Sequence, residues 1–251
     1  MLIDNSKGGF RFVKGIGPFS SGAVANPGFE IVHASAAPLI PLDDGYQVIE
    51  RHVREAGRPM NAVCGIELRI PKPLTPAGFN EFNQGYLKHL AAWDVQVEGS
   101  NPIARTNVAI EITPVTEPML FGFYYTVPAI KSAVRNFVLA GAGEVKSMSG
   151  GNLEVVAGTD VSTAGLTQKI SFVMESLGRH LAEMQMQWAA ATGINLYTVH
   201  DAYPVMVSTI LPAIGIAGHR GITWHYTWPP ITVMVLEIDA HAVAREIMIT
   251  R

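Results

Sequence analysis

Arg51-His52-Val53-Arg54-Glu55 and Arg179-His180-Leu181-Ala182-Glu183 carry one pattern, Arg-His-apolar-x-Glu, at an offset of 128 residues. At that same offset Gly65-Ile66-Glu67-Leu68 is matched by Gly193-Ile194-Asn195-Leu196. A single short match is uninformative. Two matches that hold one register, at about half the length of a 251-residue chain, point to an internal duplication. The chain is therefore read as two units, residues 1–128 and 129–251.

Working outward from these motifs, each unit yields the same order of elements. In the first, residues 30–34 alternate as a strand, and Pro38-Leu39-Ile40-Pro41 followed by Asp43-Asp44-Gly45 reads as a loop. Residues 46–56 place Val48, Ile49, His52 and Val53 at helical spacing and stop at Gly57. A strand over 62–70 precedes a helix opened by Thr75-Pro76, which carries Phe79, Phe82, Asn83, Tyr86, Leu87 and Leu90 on one flank. Strands over 105–112 and 120–127 close the unit. The second unit reads as strand 153–157, helix 166–191, strand 194–199, helix 204–214 and strands 223–226 and 232–240. Each half is thus β-α-β-α-β-β, an α+β arrangement in which the helices cover one face of a mixed sheet.

Composition narrows the function. Eighteen Lys and Arg against 21 Asp and Glu leave a formal charge of −3, with no basic block. A nucleic-acid partner is therefore not expected, because phosphate backbones demand a dense cationic footprint. No segment approaches the roughly 20 apolar residues of a membrane helix, and the N-terminus lacks an apolar signal core. A cytoplasmic protein without a membrane partner is expected. With 48% hydrophobic and only 16% charged residues, so apolar a chain is expected to bury further surface in an oligomer. The lone Cys64 excludes an intramolecular disulfide framework. Gly8-Gly9 and Gly15-x-Gly17 lack the Lys-Ser/Thr and the strand–turn–helix setting of phosphate loops. His200-Asp201 and the pair His219 and His225 show no recognised ligand frame, so no metal and no cofactor are expected.

Several segments, in order, carry a family resemblance. Ile16-Gly17-Pro18-Phe19-Ser20-Ser21-Gly22-Ala23 is followed by Ile31 to Pro38 and then Pro41-Leu42-Asp43-Asp44-Gly45. Phe82-Asn83-Gln84-Gly85-Tyr86 comes next, and then Pro102-Ile103-Ala104-Arg105-Thr106-Asn107-Val108. Leu236-Glu237-Ile238-Asp239-Ala240-His241-Ala242-Val243 stands near the end. Together these resemble the Rid (YjgF-like) family of enamine and imine deaminases. The resemblance implies two tandem chorismate-mutase-like units, each a mixed sheet with two helices on one face. It also implies a homotrimer with ligand clefts between neighbouring units.

The implied activity is hydrolytic deamination of a small carboxylate-bearing enamine or imine, of which a 2-aminomuconate-like compound is one candidate. By motif match Arg105 would clamp the substrate carboxylate through parallel hydrogen bonds, which lysine cannot reproduce. Glu237, or a water that it orients, would drive hydrolysis. Phe19, Ser35 and Asn83 would line the substrate site. The pair is divided, however: the first unit has Arg105 but no glutamate in its closing strand, and the second has Glu237 but no matching arginine. Either the halves share one composite site, or each site has been rebuilt with Tyr124 or His225 taking over proton transfer. A non-catalytic or regulatory module that binds small carboxylates is the competing expectation.

Overall fold

A computed structural model describes residues 1–15, 19–130, 135–149 and 152–251. The Ile16-Gly17-Pro18 part of the first family motif lies outside the described residues. The first half contains strands β1 (Leu2–Asn5), β2 (Phe10–Lys14), β3 (Ser20–Ala25) and β4 (Phe29–Pro41), then helix α1 (Leu42–Glu55) and β5 (Val63–Ile70). It ends with helix α2 (Pro76–Ala92), β6 (Ala104–Ile110) and β7 (Met119–Pro128). The second half has β8 (Phe137–Leu139), β9 (Ala142–Gly143), β10 (Val145–Ser149), β11 (Asn152–Val155), α3 (Thr163–Glu183) and β12 (Gly193–Tyr197). Helix α4 follows as three consecutive pieces, Tyr203–Val205, a π-helical turn Met206–Ile210, and Leu211–Ile214. The last strands are β13 (Thr223–His225), β14 (Thr227–Trp228), β15 (Glu237–Ala242) and β16 (Arg245–Ile249).

Fourteen of these strands form one sheet, ordered β13-β12-β15-β8-β3-β6-β5-β7-β4-β16 along its main path. The duplication is visible in that order. β13-β12-β15-β8 and β6-β5-β7-β4 have the same pairing senses: parallel, then antiparallel, then antiparallel. The two sequence motifs fall on equivalent elements, the C-terminal ends of α1 and α3 and the strands β5 and β12. β3 is inserted between the two sets of four, and β16 returns to pair in parallel with β4.

The sheet also closes on itself. β13 pairs with β12, and β14, one residue further along the chain, pairs with β6, so the path β12-β15-β8-β3-β6 is joined at both ends by residues 223–228. One edge of β6 is shared by β3 at Ala104 and by β14 at Ala109 and Ile110. Between those contacts the edge has no strand paired to it among the described residues.

Helices cover one face, as expected from the sequence. Val48, Ile49 and Val53 of α1 and Tyr86 and Leu90 of α2 pack on Val32, Ala34, Ile66, Leu68 and Phe123. Ile170, Val173, Leu177 and Leu181 of α3 pack with α4 on Phe137, Leu139, Ile194, Leu196 and Ile238. Each fully buried Leu, Ile or Val contributes about 1.5–3 kcal/mol of hydrophobic stabilisation. Thr75 and Ser162 cap α2 and α3 by accepting the backbone N–H groups of Gly78 and Gly165.

Some boundaries depart from the sequence reading. The 38–41 loop is strand: β4 runs on through Pro41 with a cis Ala37–Pro38 bond, and its ladder is interrupted between Ser35 and Ile40, where proline's missing N–H is tolerated. Asp43-Asp44-Gly45 is the first turn of α1, where the two carboxylates face the positive end of the helix dipole. α3 stops at Glu183 rather than 191. The closing strand begins at Glu237, because Met234 is engaged in a turn with Ile231. Among the described residues no helix is long and apolar enough to cross a membrane.

Candidate active site

The open stretch of the β6 edge is the floor of a cavity of about 780 Å³ between α2 and α3. Arg105 and Asn107 reach it from β6, Asn83 from α2, Phe19 from the segment before β3, His180 from α3 and Glu237 from β15. The two halves therefore meet here. Arginine from one and glutamate from the other line a single space.

Arg105 is held from several sides. Its Nη2 donates to Asn83 Oδ1 at 2.7 Å, and its guanidinium carbon lies 4.6 Å from the Phe19 ring centre and 4.7 Å from that of Tyr86. Such cation–π contacts are worth roughly 0.5–2 kcal/mol each and hold the planar fork in one orientation. Nη1 is shielded from solvent and has no protein partner. A donor so placed can be satisfied by an anionic ligand, and a carboxylate matches its planar fork.

Glu237 is buried, 3% exposed. Burial, reinforced by Asp239 two residues further along the strand, raises its pKa to about 8; the Asn107 N–H, Arg105 and Arg69 oppose this without prevailing. The carboxyl is thus neutral at pH 7 and able to donate a proton. Its approach depends on a missing side chain: a Cβ on Gly141 would collide with Glu237 Oε1. Gly141 is itself pinned to the β6 edge by its N–H to the Arg105 carbonyl, at 3.1 Å.

Asn107 was not singled out from sequence. It is 3% exposed, lines the cavity, and has neither Nδ2 nor Oδ1 hydrogen-bonded. Burying an unpaired amide costs about 1–3 kcal/mol, so its retention points to a ligand that completes it. The available signal was its position two residues after Arg105, on the same side of the strand. His180, which matches His52 in the repeat, also lines the cavity, whereas His52 packs against Tyr125 with Nε2 at 3.0 Å from the phenol oxygen.

Three predicted site residues lie elsewhere. Ser35, Tyr124 and His225 sit on the helix-free face: Ala34 and Phe123, next to the first two, occupy the helix-covered one, and His225 is in register with Tyr197, which follows helix-covered Leu196. Ser35 Oγ lies 3.5 Å from His33 Nε2. Tyr124 donates to Glu67 Oε1 at 3.0 Å. His225 stacks on Tyr197, with ring centres 4.7 Å apart, and lies 3.2 Å from Asn195 Oδ1; burial lowers its pKa to about 4. None of the three can take over proton transfer in the cavity.

The helix-free face has its own buried polar network, which joins the halves. Thr106 donates to Asp239 Oδ2 at 2.6 Å across the interior of the closed strand circuit, and Asn195 and Tyr197 donate to the same carboxylate. His33 Nε2 lies 2.8 Å from Glu67 Oε2. Burial alone would raise the Glu67 pKa, but His33, Arg69 and His241 outweigh it and hold the value at about 2.

Comparison with known proteins follows these lines. The fold is similar to that of a chorismatase crystal structure, at 11% identity and a TM-score of 0.54, covering 96% of this chain and 78% of that one. A YjgF-family crystal structure from Mycobacterium tuberculosis aligns over 43% of this chain and 79% of its own, at 15% identity and a TM-score of 0.32. The chain is 36% identical over 243 residues to the 2-amino-5-chloromuconate deaminase of Comamonas testosteroni, covering 96% of each. Its class is that of a deaminase with a tandem chorismate-mutase-like fold, an enzyme acting on C–N bonds rather than a non-catalytic module. More particularly, the chain belongs to the 2-aminomuconate deaminase CnbZ family, whose model matches residues 2–247.

Proposed function

We propose that the protein hydrolyses a small enamine or imine bearing a carboxylate, of the 2-aminomuconate type, in the cavity shared by its halves. The observation that carries this is the convergence of Arg105, with Nη1 unpartnered, unpaired Asn107 and protonated Glu237 on that one space. Arg105 takes the substrate carboxylate, and Asn107 offers an N–H and a carbonyl to the atoms beside it. Glu237 donates its proton to the enamine carbon, giving an iminium ion. The resulting carboxylate then accepts a proton from water as the water oxygen bonds to the iminium carbon. Glu237 returns that proton to nitrogen; as the C–N bond breaks and ammonia leaves, the carboxylate takes the hydroxyl proton, so the carbonyl of a 2-oxo acid forms and Glu237 is protonated again. Exclusion of bulk water and fixed orientation supply the remainder of the rate.

In this reading the units are 1–128, which provides the clamp, and 129–251, which provides the acid. Ammonia release from freshly generated 2-aminomuconate and 2-aminoacrylate tests it. Arg105→Ala is expected to lower kcat/KM at least ~100-fold, two charge-assisted hydrogen bonds being worth roughly 1.5–3 kcal/mol each, and Arg105→Lys to restore little. Unchanged turnover in Arg105→Ala would refute the clamp. The same proposal carries a homotrimer, to be checked by the molar mass in solution; a monomer or dimer would remove it.

A further inference from the structure

On the helix-free face, away from the cavity, β16 lies beside β4 with Glu246 opposite His33, and His241 on β15 approaches the same point from the second half. One ring nitrogen from each histidine and one Glu246 oxygen all lie within 4.8 Å of one another.

Hydrogen-bond bookkeeping makes the cluster informative. Tyr124 gives its O–H to Glu67, so its oxygen can only accept from His241, whose Nδ1 is 3.1 Å away. The His241 proton is thereby assigned to Nδ1, and Nε2 carries a lone pair. That Nε2 is shielded, without a hydrogen-bond partner, on a side chain only 8% exposed, and it faces Glu246 Oε1 at 3.4 Å. In the neutral ring two lone pairs face each other there, an arrangement that a bound cation relieves. His33 is likewise held by a carboxylate, Glu67 Oε2 lying 2.8 Å from its Nε2. Histidines with one nitrogen held by a carboxylate or phenol and the other free are oriented as metal ligands are.

The dimensions agree. Bonds of about 2.0–2.2 Å to nitrogen and oxygen at a tetrahedral centre separate neighbouring ligand atoms by about 3.4 Å, the spacing seen between His241 and Glu246. Glu246 has an exposed side chain, 64% accessible, and can swing to close the remaining separation. Room for the rings is kept by two glycines. A Cβ on Gly122 would come within 2.9 Å of His33 Nε2, and one on Gly193 within 2.5 Å of His241 Nε2. We propose that His33, His241 and Glu246 form a binding site for one divalent transition-metal ion of the zinc class, with water completing its coordination. The ion ties β15 and β16 of the second half to β4 of the first. No motif could reveal the site, since its histidines stand far apart in the chain and its third ligand sits on a strand that sequence periodicity missed.

The test uses the full chain, stripped with a chelator and titrated with ZnCl2 by calorimetry and with CoCl2 by visible absorption. One equivalent is expected to bind, with d–d bands of a nitrogen- and oxygen-ligated Co2+ ion. Glu246→Gln, which alters an exposed side chain and leaves the fold intact, is expected to raise Kd at least tenfold, and His241→Gln to abolish binding. His200→Gln is expected to change neither. Absence of saturable binding to the wild-type chain, or equal affinity in Glu246→Gln, overturns the proposal and leaves a protonated His241 paired with Glu246 as the cation.

Discussion

Replacing Glu237 by glutamine should make the protein more stable and far less active, by amounts that depend on pH in a defined way. The carboxyl titrates near pH 8 in the folded chain against 4.5 for an unperturbed one, because it is buried beside Asp239. Below pH 4.5 both states hold the proton, and the group contributes nothing to the difference between them. Above that, the unfolded chain ionises while the folded one does not, so stability is lost as pH rises towards 8 and then levels off. With about 1.36 kcal/mol per pH unit, the penalty is on the order of 3 kcal/mol at pH 7 and 5 kcal/mol above pH 8. Glutamine is nearly isosteric with the protonated acid and does not titrate. Glu237→Gln should therefore raise Tm by roughly 6–12 °C at pH 7, taking about 2–4 °C per kcal/mol for a chain of this size. The gain should shrink towards pH 5 and grow towards pH 8.5. Calorimetric scans of both proteins across that range measure it, alongside ammonia release, which should fall at least ~100-fold. A Tm difference that is flat with pH, or a variant less stable throughout, would mean that Glu237 is ionised in the native state, and the acid role would go with it.

Two further outcomes follow from the same geometry. Asn107→Ala removes an amide that no protein group satisfies, so Tm should hold or rise while kcat/KM falls about 10–100-fold; a marked loss of Tm would assign the amide to the fold instead. Glu67→Gln removes the carboxylate that accepts hydrogen bonds from His33 and Tyr124 and should cost about 1.5–3 kcal/mol per lost charge-assisted hydrogen bond in urea unfolding at neutral pH. Since the folded Glu67 pKa is held at about 2, the wild-type advantage is present above pH 4.5 and lost as pH falls towards 2; a difference that persists unchanged in acid would contradict the ion pair.

Much of the architecture was legible because the deciding signals are local. The Arg-His-apolar-x-Glu segments end α1 and α3, and the Gly-Ile-x-Leu segments lie in β5 and β12, so the register between the halves followed from residues a few positions apart. Arg105, Asn83, Phe19 and Glu237 were legible through motif order, and all four line the cavity. What failed depends on distant partners. Tyr124 and His225 are chemically apt, but strand alternation turns them to the other face, and which face holds the cavity depends on where β3 and β14 leave β6 uncovered. β16 looks like a charged tail, Arg245-Glu246, until β4 provides a ladder for it. Asn107 is silent as a sequence letter; its two empty hydrogen-bond positions exist only in three dimensions.

The strand circuit joined through residues 223–228 carries an evolutionary consequence. A duplicated gene ordinarily keeps two interchangeable copies, each free to decay while the other works. Here the halves lean on each other: Arg105 stands in one and Glu237 in the other, and the hydrogen bond from Thr106 to Asp239 makes each part of its sibling's scaffold. A deletion that removed either half would leave the other with an open strand circuit and half a cavity.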